Sequence, residues 1–383
     1  MGLPPPAAPG MGIDAIDTPA LVVDLDAFER NLVRMADAVA AAGVRLRPHA
    51  KTHKSPVIAR RQIALGAVGA CCQKVSEAEI LVDGGVDDVL VSNQVVGARK
   101  LERLAALARR AKVGVCVDDA GNARDISAAA VRFGAGIDVL VEIDVGAGRC
   151  GVAPGADAVR LGAQVAALPG LRFAGLQAYH GAAQHLRGAD ERREAIGRAG
   201  ELTRRTVAML ADRGLACETV AGAGTGTFEI EAASGIWNEL QAGSYIFMDA
   251  DYARNRAADG GPFATFEHAL FVLATVMSHP NPGRAVLDAG LKALAFDSGP
   301  PEVFQRAGVR YDGASDEHGG LVLEGSNVTL AIGDKLLLVP GHCDPTVNLH
   351  DWYVGVRGLG AGDAPGDIRV EAVWPVAARG AMF

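Results

Sequence analysis

This chain has no basic run: 37 lysines and arginines stand against 45 acidic residues, for a net charge of −8. Gripping nucleic acid takes concentrated positive charge, which argues against it as the main partner. A small anionic ligand needs only a local positive site. No cysteine pattern is present either, because the six cysteines, at 71, 72, 116, 150, 217 and 343, lack the paired spacing of a metal knuckle. That usage suits a reduced cytoplasmic protein better than a disulfide scaffold. Long apolar runs are missing too. The longest, Ala269–Met277, is far too short to span a bilayer, so no membrane partner is expected. Residues 1–12 are rich in Pro, Ala and Gly without a basic segment leading into an apolar one, and they read as a flexible N-terminal arm rather than a signal peptide. No repeat of fixed period is visible, which argues against a solenoid or propeller.

What is present is alternation. The chain has 383 residues, 49% of them hydrophobic, enough to bury a large core. After a strand at Ala20–Leu25 and a helix from Asp26, eight strands are expected at Val44–Pro48, Gly69–Gln73, Asp88–Ser92, Val113–Val117, Asp138–Ile143, Phe173–Tyr179, Glu218–Ala221 and Glu239–Ala242. The segments between them carry Leu, Ile or Val at helical spacing, for example at 96–111, 120–133 and 190–213. Eight parallel strands predict a (β/α)8 TIM-type barrel, with an open doubly wound sheet as the competing α/β fold. Beyond about residue 256 the pattern turns to strands and turns, predicting a second, mainly β domain.

The most informative stretch is RPHAKTHKS at 47–55, which places Lys51 between two histidines where an apolar strand emerges into a loop. A partly desolvated lysine has a lowered pKa and can form a Schiff base with a carbonyl cofactor; the alternative is a solvated strand end. Barrel enzymes hold phosphate after strands seven and eight, and those positions carry Gly224-Thr225-Gly226 and Gly243-Ser244-Tyr245. Glycine lets backbone N–H groups approach a phosphate and the hydroxyls add donors, although either loop alone also suits an ordinary tight turn. Gln73, Arg149, Tyr179 and His180 stand at or beyond other strand ends. An arginine can stabilise a phenolate, and a tyrosine can meet a pyridine nitrogen without fully protonating it. In the β region, His342 and Asp344 are two residues apart; in an extended segment they would face one way and share a divalent ion while Cys343 faced the other. Imidazole plus carboxylate suits Mn²⁺ or Mg²⁺, and Zn²⁺ less well, whereas the alternative is a turn with a hydrogen-bonded aspartate.

Together, PALVVDLD at 19–26, RPHAKTHK at 47–54, residues 142–151, the 224–226 and 243–245 loops and HCD at 342–344 resemble the pyridoxal-phosphate enzymes of the alanine-racemase-like fold (PLP fold type III). Within that fold the resemblance is to the metal-activated branch of D-threonine aldolases, 3-hydroxy-D-aspartate aldolases and eukaryotic-type D-serine dehydratases. CCQKVSEAE at 71–79, NELQAGSYIFMDADY at 238–252 and VPGHCDPTVNLHDWYVGVR at 339–357 most resemble the 3-hydroxy-D-aspartate aldolases. The resemblance implies a pyridoxal 5'-phosphate barrel over 26–255 and a β domain formed by 13–25 plus 256–383. It implies Lys51 as the Schiff-base lysine, with Thr225, Gly243 and Ser244 at the phosphate, Arg149 near the phenolate oxygen, Gln73 and Tyr179 around the ring, and His342 and Asp344 as metal ligands. It further implies a homodimer. Dehydratases of the branch have His-x-Cys where this chain has His-x-Asp, which favours an aldolase.

The implied activity is retro-aldol cleavage of D-3-hydroxy amino acids: 3-hydroxy-D-aspartate to glycine and glyoxylate, or D-threonine to glycine and acetaldehyde. D-serine or D-threo-3-hydroxyaspartate dehydration is the neighbouring alternative. His53, or a metal-bound water, is the candidate base. A racemase would need an acid or base on each ring face and no metal, and a non-catalytic carrier would need only the cofactor cradle. Arg254, Lys292 and His318 are all candidates for a distal carboxylate.

Overall fold

The structure is a computed structural model that describes residues 4–324, 328–359 and 368–383. Residues 1–3 of the expected arm, and 325–327 and 360–367 of the expected β domain, lie outside the described residues. The chain opens with β1 (Ala20–Asp24), whose last residue starts the first helix. The Asp24 carboxylate accepts from Asp26 N and Ala27 N, capping α1 (Leu25–Ala42), and Gly43 at φ 67° ends it in the left-handed region. Leu25, Phe28, Leu32, Met35 and Val39 form the buried stripe of α1.

A parallel barrel follows, each strand leading into a helix: β2 (Arg45–Leu46), α2 (Pro56–Ala64), β3 (Ala70–Cys72), α3 (Val75–Asp83), β4 (Asp88–Gln94), α4 (Ala98–Leu107), β5 (Lys112–Val117), α5 (Ala120–Phe133), β6 (Ile137–Glu142), α6 (Ala156–Ala167), β7 (Leu171–Gln177), α7 (Ala189–Ala211), β8 (Thr219–Gly222), α8 (Phe228–Ala233) and β9 (Glu239–Leu240). Eight strands pair in the order β2-β9-β8-β7-β6-β5-β4-β3, and a parallel bridge between His49 and Cys71 closes the ring. The barrel expectation holds, and the open sheet is excluded. Small and medium side chains, Cys71, Leu90, Cys116, Leu140, Ala174 and Ala221, fill the lumen as a packed cluster.

The N-terminal end of the barrel is sealed by charge. Arg47, 6% exposed, bonds Glu239 and Asp88; Lys112 also reaches Asp88, and Arg172 pairs with Asp138 and Glu218. Every cation in this base finds a carboxylate, so the base is a structural plug, and chemistry is left to the opposite mouth.

The remaining elements are α9 (Ala250–Ala253), β10 (Leu270–Asn281), β11 (Arg284–Leu287), β12 (Glu302–Val303), β13 (Val309–Ala314), β14 (Gly319–Leu323), β15 (Lys335–Val339), α10 (Cys343–Val347), β16 (Trp352–Arg357) and β17 (Arg369–Pro375). Their strands form a second sheet with β1, which lies between β10, antiparallel to it, and β16, parallel to it. The expected loose arm packs on this sheet: Ala7 is buried and Gly10 N donates to Val370 O. Among the described residues no helix is long and apolar enough to cross a membrane.

The β domain is tied over the barrel mouth. Ala250 N and Asp251 N donate to Pro340 O and Gly341 O, Cys343 N donates to Asp249 Oδ2, and Tyr353 Oη donates to His53 O. One local expectation is corrected here: 342–344 is not a continuous extended segment. His342 is extended (φ −148°, ψ 124°) and caps α10, which begins at Cys343. A strand-to-helix turn thus sets the relation between His342 and Asp344, with Pro345 inside the first turn, where its missing N–H costs nothing.

Candidate active site

At the C-terminal mouth lies a cleft lined by His49, Lys51, Thr52, Gln73, Ser92, Arg149, Gln177, Tyr179, Ala223, Gly224, Thr225, Gln241, Gly243, Ser244 and Tyr252. All but one of these residues lie at the ends of barrel strands or in the loops that follow; the exception, Tyr252, comes from α9. The barrel thus gathers residues up to about two hundred positions apart in sequence. Gln177 and Gln241 exchange amide hydrogen bonds, at 2.7 and 3.0 Å, and so form a satisfied, uncharged floor.

Lys51 stands in this cleft with its Nζ in a short ion pair to Asp344 Oδ2. Burial alone would lower the lysine pKa, but the Asp344 carboxylate outweighs it, so the lysine is raised above its usual value rather than lowered as the sequence suggested. Burial would raise Asp344, yet Lys51 and His342 together hold it well below the usual carboxylate range. The neighbouring lysine is otherwise employed: Lys54 is 7% exposed, and its Nζ donates to Glu77 Oε1 at 2.6 Å and to Ala378 O. Of the two, Lys51 faces the cleft.

The glycine loops supply donors without charge. Among the described residues, the backbone N–H groups of Gly224, Thr225, Gly243 and Ser244 have no protein acceptor, and Thr225 Oγ1 is buried without a partner. Buried donors are rarely left so, and a cluster of them fits an absent dianion such as the phosphate of pyridoxal phosphate. A Cβ at Gly243 would stand 2.6 Å from Thr52 Oγ1 and 2.8 Å from His49 O, so only glycine fits there. Two expected members lie elsewhere. Gly226 N donates to Gln184 Oε1 at 2.9 Å, on the back of the loop, and Tyr245 is 1% exposed with its hydroxyl accepting from Gln62 and its ring against Phe266. Tyr245 sits in the short helical turn 244–246, which rotates it into the core while Ser244 keeps the cleft.

Around the space where a cofactor ring would lie, the Arg149 guanidinium stands over the Tyr179 ring at 5.8 Å, and Glu142 Oε1 is 4.0 Å from it. Glu142 is itself held by Gln94 Nε2 at 2.6 Å. Burial raises the Tyr179 pKa, keeping the phenol neutral. Gln73 lies against His49 Nε2 at 2.8 Å, with Ser92 beside both. Sequence reading missed Ser92, Gln177, Gln241 and Tyr252, although the first three stand at the C-terminal ends of strands, where it looked for polar groups.

The fit to a divalent ion is narrower. His342 Nδ1 donates to Asp297 Oδ2 at 2.6 Å, which orients the ring and leaves Nε2 as the nitrogen that could take a metal ion. Burial lowers the His342 pKa, but Asp344 and Asp297 more than offset it. Cys343 faces away, its Sγ directed at Met248 O, as expected. Among the described residues no group of three or more His, Cys, Asp or Glu side chains converges, so His342 and Asp344 offer two protein ligands and the rest of a coordination sphere would be solvent or substrate.

The structure does not bring His53 to the cleft. It is fully buried, its Nδ1 accepts from Ser55 N, and burial lowers its pKa to about 3, so it is a neutral packing residue without access to substrate. A second histidine, His185, ends the turn 181–185 after β7 and is exposed where His53 is not. Its Nδ1–H donates to the buried Asp251 at 2.7 Å, its ring stacks on Tyr252 of the cleft, and its side chain is 54% exposed. The partnered Nδ1 leaves Nε2 free to take a proton. Of the candidates for a distal carboxylate, Lys292 is paired with Glu317, His318 lies by Ser315, and Arg254 donates to Ser298 O.

The sequence and fold have relatives. Residues 23–251 match the family of the alanine racemase N-terminal domain, and 269–356 match a serine dehydratase domain. The chain is 51% identical over 380 residues to a D-threonine aldolase from Arthrobacter sp., covering 99% of this chain and 97% of that one. It is 50% identical over 379 residues to a 3-hydroxy-D-aspartate aldolase from Paracoccus denitrificans, covering 98% and 95%. The crystal structure of a D-threonine aldolase from Filomicrobium marinum superposes with a TM-score of 0.95 at 59% identity, covering 99% of this chain and all of that one.

Proposed function

The chain belongs to the alanine-racemase-like family of lyases that includes D-threonine aldolase and 3-hydroxy-D-aspartate aldolase, and from that premise we propose that it cleaves the Cα–Cβ bond of 3-hydroxy-D-aspartate to release glycine and glyoxylate. The observation that carries the reading is the cleft itself: Lys51, four unpartnered backbone donors, Thr225, Arg149 and Tyr179 face one space of the kind pyridoxal phosphate needs. The string-level resemblance at 71–79, 238–252 and 339–357 supports the diacid over D-threonine, the alternative substrate.

Lys51 would carry the cofactor, Gly224, Thr225, Gly243 and Ser244 would hold its phosphate, Arg149 would stand at the phenolate side, and Gln73 and Tyr179 would flank the ring. Pyridoxal phosphate, when bound, supplies the electron sink for the pair released as Cα–Cβ breaks. His342 and Asp344 would hold a divalent ion, Mn²⁺ or Mg²⁺, whose Lewis acidity lowers the pKa of the β-hydroxyl. With Asp344 engaged by such an ion, Lys51 would lose its carboxylate partner, and burial would then favour the neutral amine. His185, oriented by Asp251, takes the hydroxyl proton as the aldehyde forms. The barrel over 26–255 would present the cofactor and the segments 13–25 and 256–383 the metal pair, in a homodimer as the family resemblance implies.

The test is borohydride reduction of the protein loaded with pyridoxal phosphate, followed by peptide mapping. The reduced adduct is expected on Lys51. An adduct on Lys54 or another lysine, or none, would overturn the assignment.

A further inference from the structure

Two histidines of the 47–55 loop share a turn that fixes the position of their ring protons. The backbone N–H of Lys51 donates to His49 Nδ1 at 3.3 Å, and that of Ser55 donates to His53 Nδ1 at 3.1 Å. A backbone N–H can only donate, so each Nδ1 holds a lone pair and the ring's single proton sits on Nε2. For His53 that proton lies in the core. For His49 it lies at the cleft. His49 Nε2 is 2.8 Å from the terminal amide atom of Gln73 and 3.2 Å from Ser92 Oγ. Ser92 Oγ is also 3.3 Å from Cys72 O, which can only accept, so the serine hydroxyl points its proton there.

With its proton so directed, Ser92 Oγ can itself accept from His49 Nε2–H, but the terminal Gln73 atom, 3.4 Å from Ser92 Oγ, stands nearer to the imidazole N–H, at 2.8 Å. A contact of 2.8 Å is a hydrogen bond only if the facing atom is the amide oxygen, because an NH₂ there would set donor against donor in a nearly closed site. Amide oxygen and nitrogen are distinguished by such networks rather than by shape. With the oxygen turned to His49, the NH₂ is turned outward. Gln73 is half-buried and lines the cleft, and among the described residues its outward atom has no partner.

Resting on the cofactor site proposed above, we propose that His49 is a positioning residue: its Nε2–H tautomer locks the Gln73 carboxamide with the NH₂ in the cleft, making Gln73 a neutral donor to an oxygen of the bound cofactor or substrate. Arg149 offers a charged donor in the same cleft, so an oxyanion there would meet one charged and one uncharged partner. The lock is insensitive to pH near neutrality. Protonating Nδ1 would break the Lys51 N–H bond, and both burial and the charges of Lys51 and Arg149 oppose it, while the Asp344 carboxylate favours it.

The tautomer is read directly by long-range ¹⁵N–¹H NMR of the ¹⁵N-labelled protein, with His49 assigned by the signal lost in His49→Gln. The neutral Nε2–H form is expected throughout about pH 6 to 9. The Nδ1–H form, or an imidazolium near neutrality, would overturn the proposal. A second arm measures the Kd for pyridoxal phosphate by absorbance. His49→Leu should raise Kd by about tenfold, roughly the loss of one hydrogen bond, and Gln73→Glu, which has no donor, at least as much. His49→Gln, whose amide can donate in place of Nε2–H, should stay within about threefold of wild type. Equal losses in His49→Leu and His49→Gln would also overturn it. If wild-type protein took up no pyridoxal phosphate, the cofactor reading would fail, while the NMR arm would still decide the tautomer.

Discussion

Removing Asp344 should make Lys51 a faster nucleophile in a protein that can no longer turn over. Capture of pyridoxal phosphate by the cofactor-free, chelated protein requires the neutral amine, and the ion pair with Asp344 holds Lys51 as the ammonium. An opposite charge in contact shifts a pKa by roughly one to three units, and because the Lys51 side chain is 41% exposed the lower end applies. Asp344→Asn should therefore lower the Lys51 pKa by about one unit, giving about tenfold more neutral amine below the pKa. The sign follows from linkage. A raised lysine pKa means that the lysine's contribution to stability is fully present below its ordinary pKa, where Asp344 is ionised, and is lost as pH climbs through the raised value. Stopped-flow absorbance measures the capture rate against pH. The wild-type rate should climb by about a decade per pH unit, with the Asp344→Asn profile parallel and displaced about one unit to lower pH. A profile that coincided with wild type, or moved to higher pH, would refute the reasoning.

Glu231, 1% exposed with one carboxylate oxygen unpartnered, is pushed up to about 8 by burial, so native protein keeps a proton that unfolded chain gives up. Stability should fall as pH rises from the ordinary glutamate range to about 8 and level off beyond it, and Glu231→Gln should flatten that slope in thermal melts across pH. Chelation should stop cleavage while leaving the borohydride-fixed adduct on Lys51, with Mn²⁺ or Mg²⁺ restoring turnover; Asp344→Ala should match chelation, whereas Cys343→Ala should be mild in steady-state assays. Glu239→Gln should cost about 3–5 kcal/mol in denaturant unfolding, because it leaves the buried Arg47 guanidinium half-paired; a loss under about 1 kcal/mol would mean that solvent reaches the barrel base.

The barrel was legible because each strand is a short Val- and Leu-rich run set between amphipathic helices, and local pattern determines both. Lys51, Thr225, Gly243 and Ser244 were legible for a related reason: they follow strand ends, and a barrel turns all its strand ends into one mouth. What escaped was set by side-chain direction and by partners distant in the chain. His53 looks like Lys51's natural base at two residues' distance, yet the turn that fixes its Nδ1 buries the ring. The proximity of Asp344 to Lys51, 293 positions away, reverses the expected direction of the lysine's shift. No local pattern announces that contact. The 342–344 segment is expected to be extended from its i, i+2 spacing alone, whereas a helix begins at Cys343, and Pro345 in its first turn is tolerated there. His185 gives no sequence signal of its own; it stands out only once Asp251 and Tyr252 are seen beside it.

Product analysis tests the central claim most directly. With 3-hydroxy-D-aspartate, pyridoxal phosphate and Mn²⁺, glycine and glyoxylate should appear in equal amounts without ammonia, and Lys51→Ala should abolish both. Ammonia and an oxo acid in their place, or cleavage undiminished in Lys51→Ala, would contradict it.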